Sequence, residues 1–336
     1  MAEISILGAG SWGTALAILL SQNGHQVTLW SHRSDQVEEL KKSHKNESKL
    51  PGVILPDRLI FTADLERAVW DKDLLVMAVP STATRETAEK IKPYISSGQR
   101  IITVTKGIEE ATLLSQVEII EEVLPEANVG ILSGPSHAEE VAVGMPTAVV
   151  AGSKDRDLAV MTQEFFMNET FRVYTSPDVI GIEIGGSLKN VIALAAGMSD
   201  GLGFGDNTKA ALITRGIKEI TALAVACGGQ PETLAGLTGI GDLIVTCQSR
   251  HSRNRLAGFY IGRGMKTGDA MKRVAMVVEG VYSARAAAKL GEKYDVELPI
   301  ITEVNHVLFD GKDAREAVLS LMTRDKKKED ERLRFV

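Results

Sequence analysis

The 336-residue chain is short of cysteine, of excess positive charge and of long apolar runs, and each shortage excludes something. Its two cysteines, Cys227 and Cys247, cannot build a disulfide framework and lack metal-ligand spacing, so no metal site is expected and a reducing compartment is the natural setting. A net charge of −6 argues against nucleic acid as a partner; an anionic ligand would need a local basic pocket. No uninterrupted apolar run approaches the ~18 residues of a membrane span, and no basic, apolar leader precedes the first strand. The expectation is a cytoplasmic protein with no stable membrane insertion. Repeats and low-complexity segments are also missing. What remains, 44% hydrophobic and 24% charged residues, is the composition of a globular enzyme, and the length suggests two domains.

The most informative stretch comes first. Ile4-Ser5-Ile6-Leu7 reads as a buried strand and Thr14 to Leu20 as a helix, with Gly8, Gly10 and Gly13 between them in G-x-G-x-x-G spacing. The first glycine permits a tight turn, the second lets a pyrophosphate approach the backbone, and the third lets helix and strand pack closely. Free N–H groups at the helix start then face the anion. The strand–turn–helix context makes this a dinucleotide site and not merely a glycine-rich turn.

Asn23-Gly24 stops the helix and Gln26–Trp30 is the second strand. Sites that prefer NAD carry an acid at the end of that strand to hold the ribose hydroxyl. Ser31-His32-Arg33-Ser34 stands there instead, and a His and an Arg would attract a 2′-phosphate, so NADP is expected to be preferred over NAD, with Asp35 as a counterweight. Further strands are expected near 59–61, 74–80, 100–105, 129–132, 147–151 and 171–174, alternating with helices that include 113–123. That alternation predicts a doubly wound parallel sheet. Lys106 lies just beyond the carboxyl end of one strand, where open parallel sheets bind ligands; it meets an anion there or is a solvated loop lysine. Ser136 and Glu139 have the spacing of a capping box that would open a further helix onto the same crevice.

Near Ser176-Pro177 the pattern changes to helices, expected at about 178–198, 207–226, 231–236, 252–262, 280–294, 299–309 and 313–322, with Pro299 at a first helical position and Asp313 as an N-cap. The domains are placed at 1–180 and 181–336, the second all-α. The tail from Arg324 to Arg334 reads as a solvated run of mixed charge. In the first long helix Gly181, Gly185 and Lys189 are four apart and share a face. Two or three interior glycines cost roughly 0.5–1 kcal/mol each relative to alanine. They imply close approach, either of a ligand toward Lys189 or of another helix. A lysine of lowered pKa can protonate a carbonyl oxygen as hydride arrives. Thr238-Gly239-Ile240-Gly241-Asp242 reads as a turn whose Asp242 orients Lys189, binds a substrate hydroxyl, or caps a helix. Ser249-Arg250-His251-Ser252-Arg253-Asn254-Arg255 gathers phosphate-binding side chains at a helix start, or is a solvated basic loop. Val277-Val278-Glu279-Gly280 by itself assigns nothing.

Taken together, Gly-Ala-Gly-Ser-Trp-Gly at 8–13, Thr-Lys-Gly at 105–107, Ser-Gly-Pro-Ser at 133–136, Ser-Leu-Lys-Asn at 187–190, Gly-Ile-Gly-Asp-Leu at 239–243, Ser-Arg-Asn at 252–254 and Val-Val-Glu-Gly at 277–280 resemble the soluble NAD(P)-dependent glycerol-3-phosphate dehydrogenases of bacteria. The resemblance runs from Ile4 to the last helix. It implies a Rossmann-type domain followed by a helical domain of the 6-phosphogluconate dehydrogenase C-terminal type. It also implies interconversion of dihydroxyacetone phosphate and sn-glycerol 3-phosphate, feeding glycerophospholipid synthesis. By the same resemblance Ser11, Trp12, His32, Arg33, Ala138, Val277 and Glu279 contact the cofactor. Lys106 touches cofactor and substrate, Gly134 and Ser136 hold the substrate, and Lys189 is the proton donor and acceptor. Asp242, Ser252, Arg253 and Asn254 are substrate positions, with Arg253 also near the cofactor. Gly185-Gly186 depart from that family, many of whose members carry alanine there. The expected assembly is a homodimer. The alternatives are a related hydroxyacid or sugar-acid phosphate dehydrogenase, which the Ser-Arg-Asn cluster disfavours, and a non-catalytic dinucleotide sensor.

Overall fold

A computed structural model describes residues 1–329. Its first half is one eight-stranded sheet. The strands are β1 (Glu3–Leu7), β2 (Gln26–Trp30), the small separate hairpin β3 (Lys45–Asn46) and β4 (Leu50–Ile54), then β5 (Ile60–Thr62), β6 (Leu74–Met77), β7 (Arg100–Thr103), β8 (Asn128–Ser133), β9 (Thr147–Gly152) and β10 (Phe171–Ser176). The sheet order is β10-β9-β8-β7-β6-β1-β2-β5. Helices α1 (Ser11–Gln22), α2 (Ser34–Ser43), α3 (Leu65–Val69), α4 (Thr84–Ile91), α5 (Gln116–Val123), α6 (Ala138–Val141) and α7 (Arg156–Phe166) belong to this half. Strand β1 pairs in parallel with β2 on one side and β6 on the other, so the chain order reverses at β1. The crevice at that reversal, beyond the carboxyl ends of the strands, is where a doubly wound sheet binds its ligand.

The sheet is not parallel throughout. β9 pairs antiparallel with β8, and β10 follows β9 in parallel. The physical reason is the connection. The only helix between β8 and β9 is the four-residue α6, about 6 Å long, whereas a six-residue strand spans about 20 Å, so the chain re-enters the sheet from the end at which it left. The expected capping box at Ser136 is also absent. The N-cap of α6 is His137, without a side-chain cap, and the Ser136 hydroxyl donates to the Gly134 carbonyl oxygen. A true capping box occurs instead at Ser115 and Glu118, which shortens the helix expected at 113–123 to α5.

The second half is helical: α8 (Val179–Gly201), α9 (Asp206–Ala226), α10 (Pro231–Leu234), α11 (Asp242–Gln248), α12 (Arg253–Gly262), α13 (Thr267–Val274), α14 (Glu279–Lys293), α15 (Pro299–Phe309) and α16 (Ala314–Met322). Pro299 opens α15 and Asp313 caps α16 as expected, whereas α11 and α13 had no counterpart in the sequence reading. The turn expected around Asp242 is a π-type turn, Leu237–Gly241, that runs straight into α11. Helix α8 does meet the length and hydropathy of a membrane span, contrary to expectation, but 94% of its apolar window is buried inside the protein. It is the central helix of this half. α12 lies against it backbone to backbone: a Cβ on Gly258 would strike the Leu194 carbonyl oxygen, and one on Gly197 the Arg255 carbonyl oxygen. That close approach brings the start of α12 next to the middle of α8. Of the charged tail, Arg324 to Glu329 is exposed, and the remainder of the run lies outside the described residues.

Candidate active site

A cleft of about 590 Å³ lies between the two halves. Its floor at one end is the glycine loop, where each glycine is needed for a different reason. Gly8 has φ +125°, and a Cβ there would come within 2.6 Å of the Ala78 carbonyl oxygen. A Cβ on Gly13 would strike the Gly8 carbonyl oxygen, so helix and turn pack only with glycine. A Cβ on Gly10 would meet nothing within 4 Å; it would stand in the open cleft, in the space left for a ligand. The cradle therefore fits a pyrophosphate lying along the backbone.

The loop is braced from outside by residues that sequence reasoning did not single out. Asn46 donates its amide to the Ala9 carbonyl oxygen (3.1 Å) and to Thr14 Oγ1 (2.8 Å), and Gln36 donates to the same carbonyl at 2.9 Å. The Ser11 hydroxyl donates to the Lys49 carbonyl oxygen at 2.5 Å. Ser11, Trp12, His32 and Arg33 all line this end of the cleft. Arg33 is exposed and ion-paired with Asp35, the counterweight expected from the sequence.

At the other end three charges from distant parts of the chain meet. Lys189, on α8, is buried; its ammonium donates to Asp242 Oδ1 and, at 2.8 Å, to Thr246 Oγ1. Lys106, beyond the carboxyl end of β7, donates to Asp242 Oδ2 at 2.7 Å and to the Gly134 carbonyl oxygen at 3.1 Å. Asp242 thus holds one lysine from each half. Burial lowers the Lys189 pKa to about 8, with Lys106 adding to the effect and Asp242 opposing it. Burial pushes the Asp242 carboxyl up, but the two ammoniums outweigh it and keep the group below its ordinary value. A lysine near 8 beside a fixed carboxylate can both give and take a proton near neutral pH.

The glycines preceding Lys189 serve packing. A Cβ on Gly181 would strike the Asp178 side chain that caps α8, and one on Gly185 would fall 2.8 Å from the Thr238 carbonyl oxygen, so the π-type turn lies directly on α8 at Gly185 and carries Asp242 up to Lys189. Thr246 follows Asp242 by one helical turn. The spacing would have revealed it had the Leu243-Ile244-Val245 run been read as helical.

The wall at this end of the cleft is built by the start of α12. Ser252 caps the helix, accepting from the Arg255 N–H at 3.2 Å. Asn254 donates to Asn190 Oδ1 (2.9 Å) and accepts from the Gly280 N–H (2.8 Å), tying α8, α12 and α14 together. Arg253 is exposed along the cleft, whereas Arg255 is turned away onto Asp200 and Arg250 does not line it. Ser136, Ala138, Val277 and Glu279 line the cleft as well; Glu279 accepts from the Ser81 N–H at 3.3 Å and from the Ser81 hydroxyl, joining α14 to the sheet half. Gly13, Gly134 and Asp242 stand behind the wall. Gly134, at φ +147°, lies so close to β9 that a Cβ would be 2.9 Å from the Val149 Cα.

The family model for the N-terminus of NAD-dependent glycerol-3-phosphate dehydrogenase matches residues 3–159, and that for the C-terminus matches residues 178–319. The glycerol-3-phosphate dehydrogenase (NAD(P)+) of Agathobacter rectalis is 59% identical over 327 residues, 97% of each chain. That of Bacillus subtilis (strain 168) is 50% identical over 336 residues, 99% of this chain and 97% of the relative. Among solved structures, glycerol-3-phosphate dehydrogenase from Coxiella burnetii superposes with a TM-score of 0.93 at 39% identity, covering 96% of this chain and 99% of that one. A ketopantoate reductase from Ralstonia eutropha, at 18% identity and a TM-score of 0.62, shares the fold alone.

Proposed function

From a chain that belongs to the NAD-dependent glycerol-3-phosphate dehydrogenase family, we propose an enzyme that interconverts dihydroxyacetone phosphate and sn-glycerol 3-phosphate, feeding glycerophospholipid synthesis. The observation that carries this reading is the Lys189–Asp242–Lys106 cluster at the carboxyl ends of the strands, within reach of the glycine-loop cleft.

Gly8, Gly10, Ser11 and Trp12 would hold a reduced nicotinamide dinucleotide, which when bound would supply the hydride for the ketone carbon. Lys189 gives its proton to the ketone oxygen, which becomes the hydroxyl of the product. In the oxidative direction neutral Lys189 takes that proton back. Asp242 aims the ammonium and keeps it charged, and Thr246 fixes its second hydrogen bond. Lys106 adds positive charge where the alkoxide develops. Arg253, Asn254 and Ser252 bind the phosphate, with Gly134 and Ser136 shaping the opposite side. Ala138, Val277, Glu279 and Arg253 complete the cofactor's surroundings. His32 and Arg33 favour NADP over NAD, the 2′-phosphate replacing Asp35 as the partner of Arg33. The enzyme works in the cytoplasm as a homodimer. A related hydroxyacid or sugar-acid phosphate dehydrogenase has less support, because the Ser252-Arg253-Asn254 cluster lines the cleft and the turn before α11 brings Asp242 to Lys189 and Lys106. The sensor reading requires damaged chemistry, and Lys106, Lys189 and Asp242 are all present and joined.

Loss of reduced-nicotinamide absorbance with dihydroxyacetone phosphate, run in parallel with NADPH and NADH, tests the proposal. Rapid turnover is expected, with higher kcat/KM for NADPH. No turnover with either cofactor in a protein that binds NADPH would overturn the reaction. Higher efficiency with NADH would overturn the preference.

A further inference from the structure

We propose that His137 is a substrate-binding residue: its imidazole donates a hydrogen bond to the substrate's phosphoryl group from the sheet side of the cleft. The inference rests on the reading of the cleft as a site for a phosphorylated ketone.

Three observations support it. His137 lies in the cleft wall between Ser136 and Ala138. Its backbone is extended (φ −70°, ψ 129°), outside the short helix that follows. Its Nε2 atom is buried and has no hydrogen-bond partner among the described residues. An orphaned buried polar atom costs about 1–3 kcal/mol, so such an atom in a cleft wall is normally completed by water or by a ligand. The ring of His251, which also lines the cleft, is a neighbour of His137, 6.0 Å between centroids and tilted by 52°. His251 leads into Ser252-Arg253-Asn254, and Arg253 makes no ion pair among the described residues. The unpartnered histidine therefore stands beside the basic segment, while the two lysines at the carbonyl end are already joined by Asp242.

The charge balance favours a neutral donor. Burial lowers the His137 pKa and the Lys189 ammonium lowers it further, against the opposing carboxylates of Glu139, Glu140 and Asp242. A neutral imidazole offers one N–H without adding a third cation beside Lys106 and Lys189. A phosphate dianion presents more acceptor oxygens than Arg253 and one helix start can satisfy, and a donor from the sheet half makes phosphate binding draw the two halves together.

The test compares a substrate with and without phosphate. In His137→Phe, KM for dihydroxyacetone phosphate should rise about tenfold, the loss of one hydrogen bond to a charged group. The kcat and the KM for NADPH should stay within about twofold, and kcat/KM for dihydroxyacetone, which lacks the phosphate, should not change. His137→Gln, which keeps an N–H donor, should recover part of the loss. Independently of any substitution, the His137 imidazole nitrogen resonance should shift when inorganic phosphate is titrated into the NADPH-bound wild type. An equal loss on both substrates, a change confined to KM for NADPH, unchanged KM for dihydroxyacetone phosphate in the Phe variant, or an unmoved resonance at saturating phosphate would each overturn the proposal. A wild type that binds NADPH without reducing dihydroxyacetone phosphate would remove the premise and the proposal with it.

Discussion

Two cation–aspartate pairs stand at opposite ends of the cleft. Arg33 and Asp35, two residues apart, are 54% and 68% exposed. Lys189 and Asp242, 53 residues apart, are 9% and 1% exposed. An exposed pair contributes ~0–1 kcal/mol, because water and salt screen it. Breaking a buried pair costs about 3–5 kcal/mol, because the remaining charge is stranded. The pair at the mouth can thus exchange its carboxylate for an incoming phosphate at little cost. The buried pair is a fixed setting whose value is the protonation state it maintains.

Breaking the buried pair should have the largest effect. Lys189→Ala is expected to lower kcat by about 10²–10⁴-fold while NADPH affinity, measured by fluorescence titration, changes little. Near-normal turnover would remove Lys189 from the mechanism. Asp242→Asn should be comparably inactive and also less stable by about 3–5 kcal/mol in denaturant unfolding, since two ammoniums then face each other.

The pH dependence sharpens the contrast next. With Lys189 near 8, kcat for ketone reduction should fall as pH rises through about 8, because the proton donor is lost, and kcat for alcohol oxidation should rise through the same region. Both profiles flat from pH 6 to 9.5, with chemistry shown to limit the rate, would sink the assignment.

Changes at the exposed pair should be smaller and confined to cofactor choice. Arg33→Ala is expected to lower kcat/KM for NADPH by about 10–100-fold, to leave NADH within a few-fold, and to shift unfolding by less than about 0.5 kcal/mol. The smallest effect belongs to Asp35→Ala, which frees Arg33 and should raise NADPH efficiency a few-fold without altering stability. A large stability loss in either variant would mean that the two pairs do not differ as their exposure implies.

The same contrast marks what was legible in the chain. The glycine loop, α1 and the cations after β2 were readable because each depends on neighbours within a turn or a strand. Three features were not. The direction of β9 depends on the length of the connection through α6, which the Ser136–Glu139 spacing disguised as a full helix start. Helix α11 was hidden because Leu243-Ile244-Val245 has no helical periodicity of its own; it is held by the π-type turn lying against Gly185. Arg255 has the same character as Arg253 in the sequence, yet it turns to Asp200, a residue on another helix.

What the sequence determined by itself was the set of parts: a strand–glycine loop–helix unit, alternating elements and then helices, and lysines and arginines in an acidic protein. Those follow from local sterics and periodicity, which act over a few residues. Only the tertiary structure decided that Asp242 joins Lys106 to Lys189, across 136 and 53 residues respectively. It alone decided that Asn254 locks onto Asn190 and that His137 faces His251 with a buried nitrogen unpaired. Burial and long-range contact set those charges and hydrogen bonds, and neither is encoded in the spacing of the residues that make them.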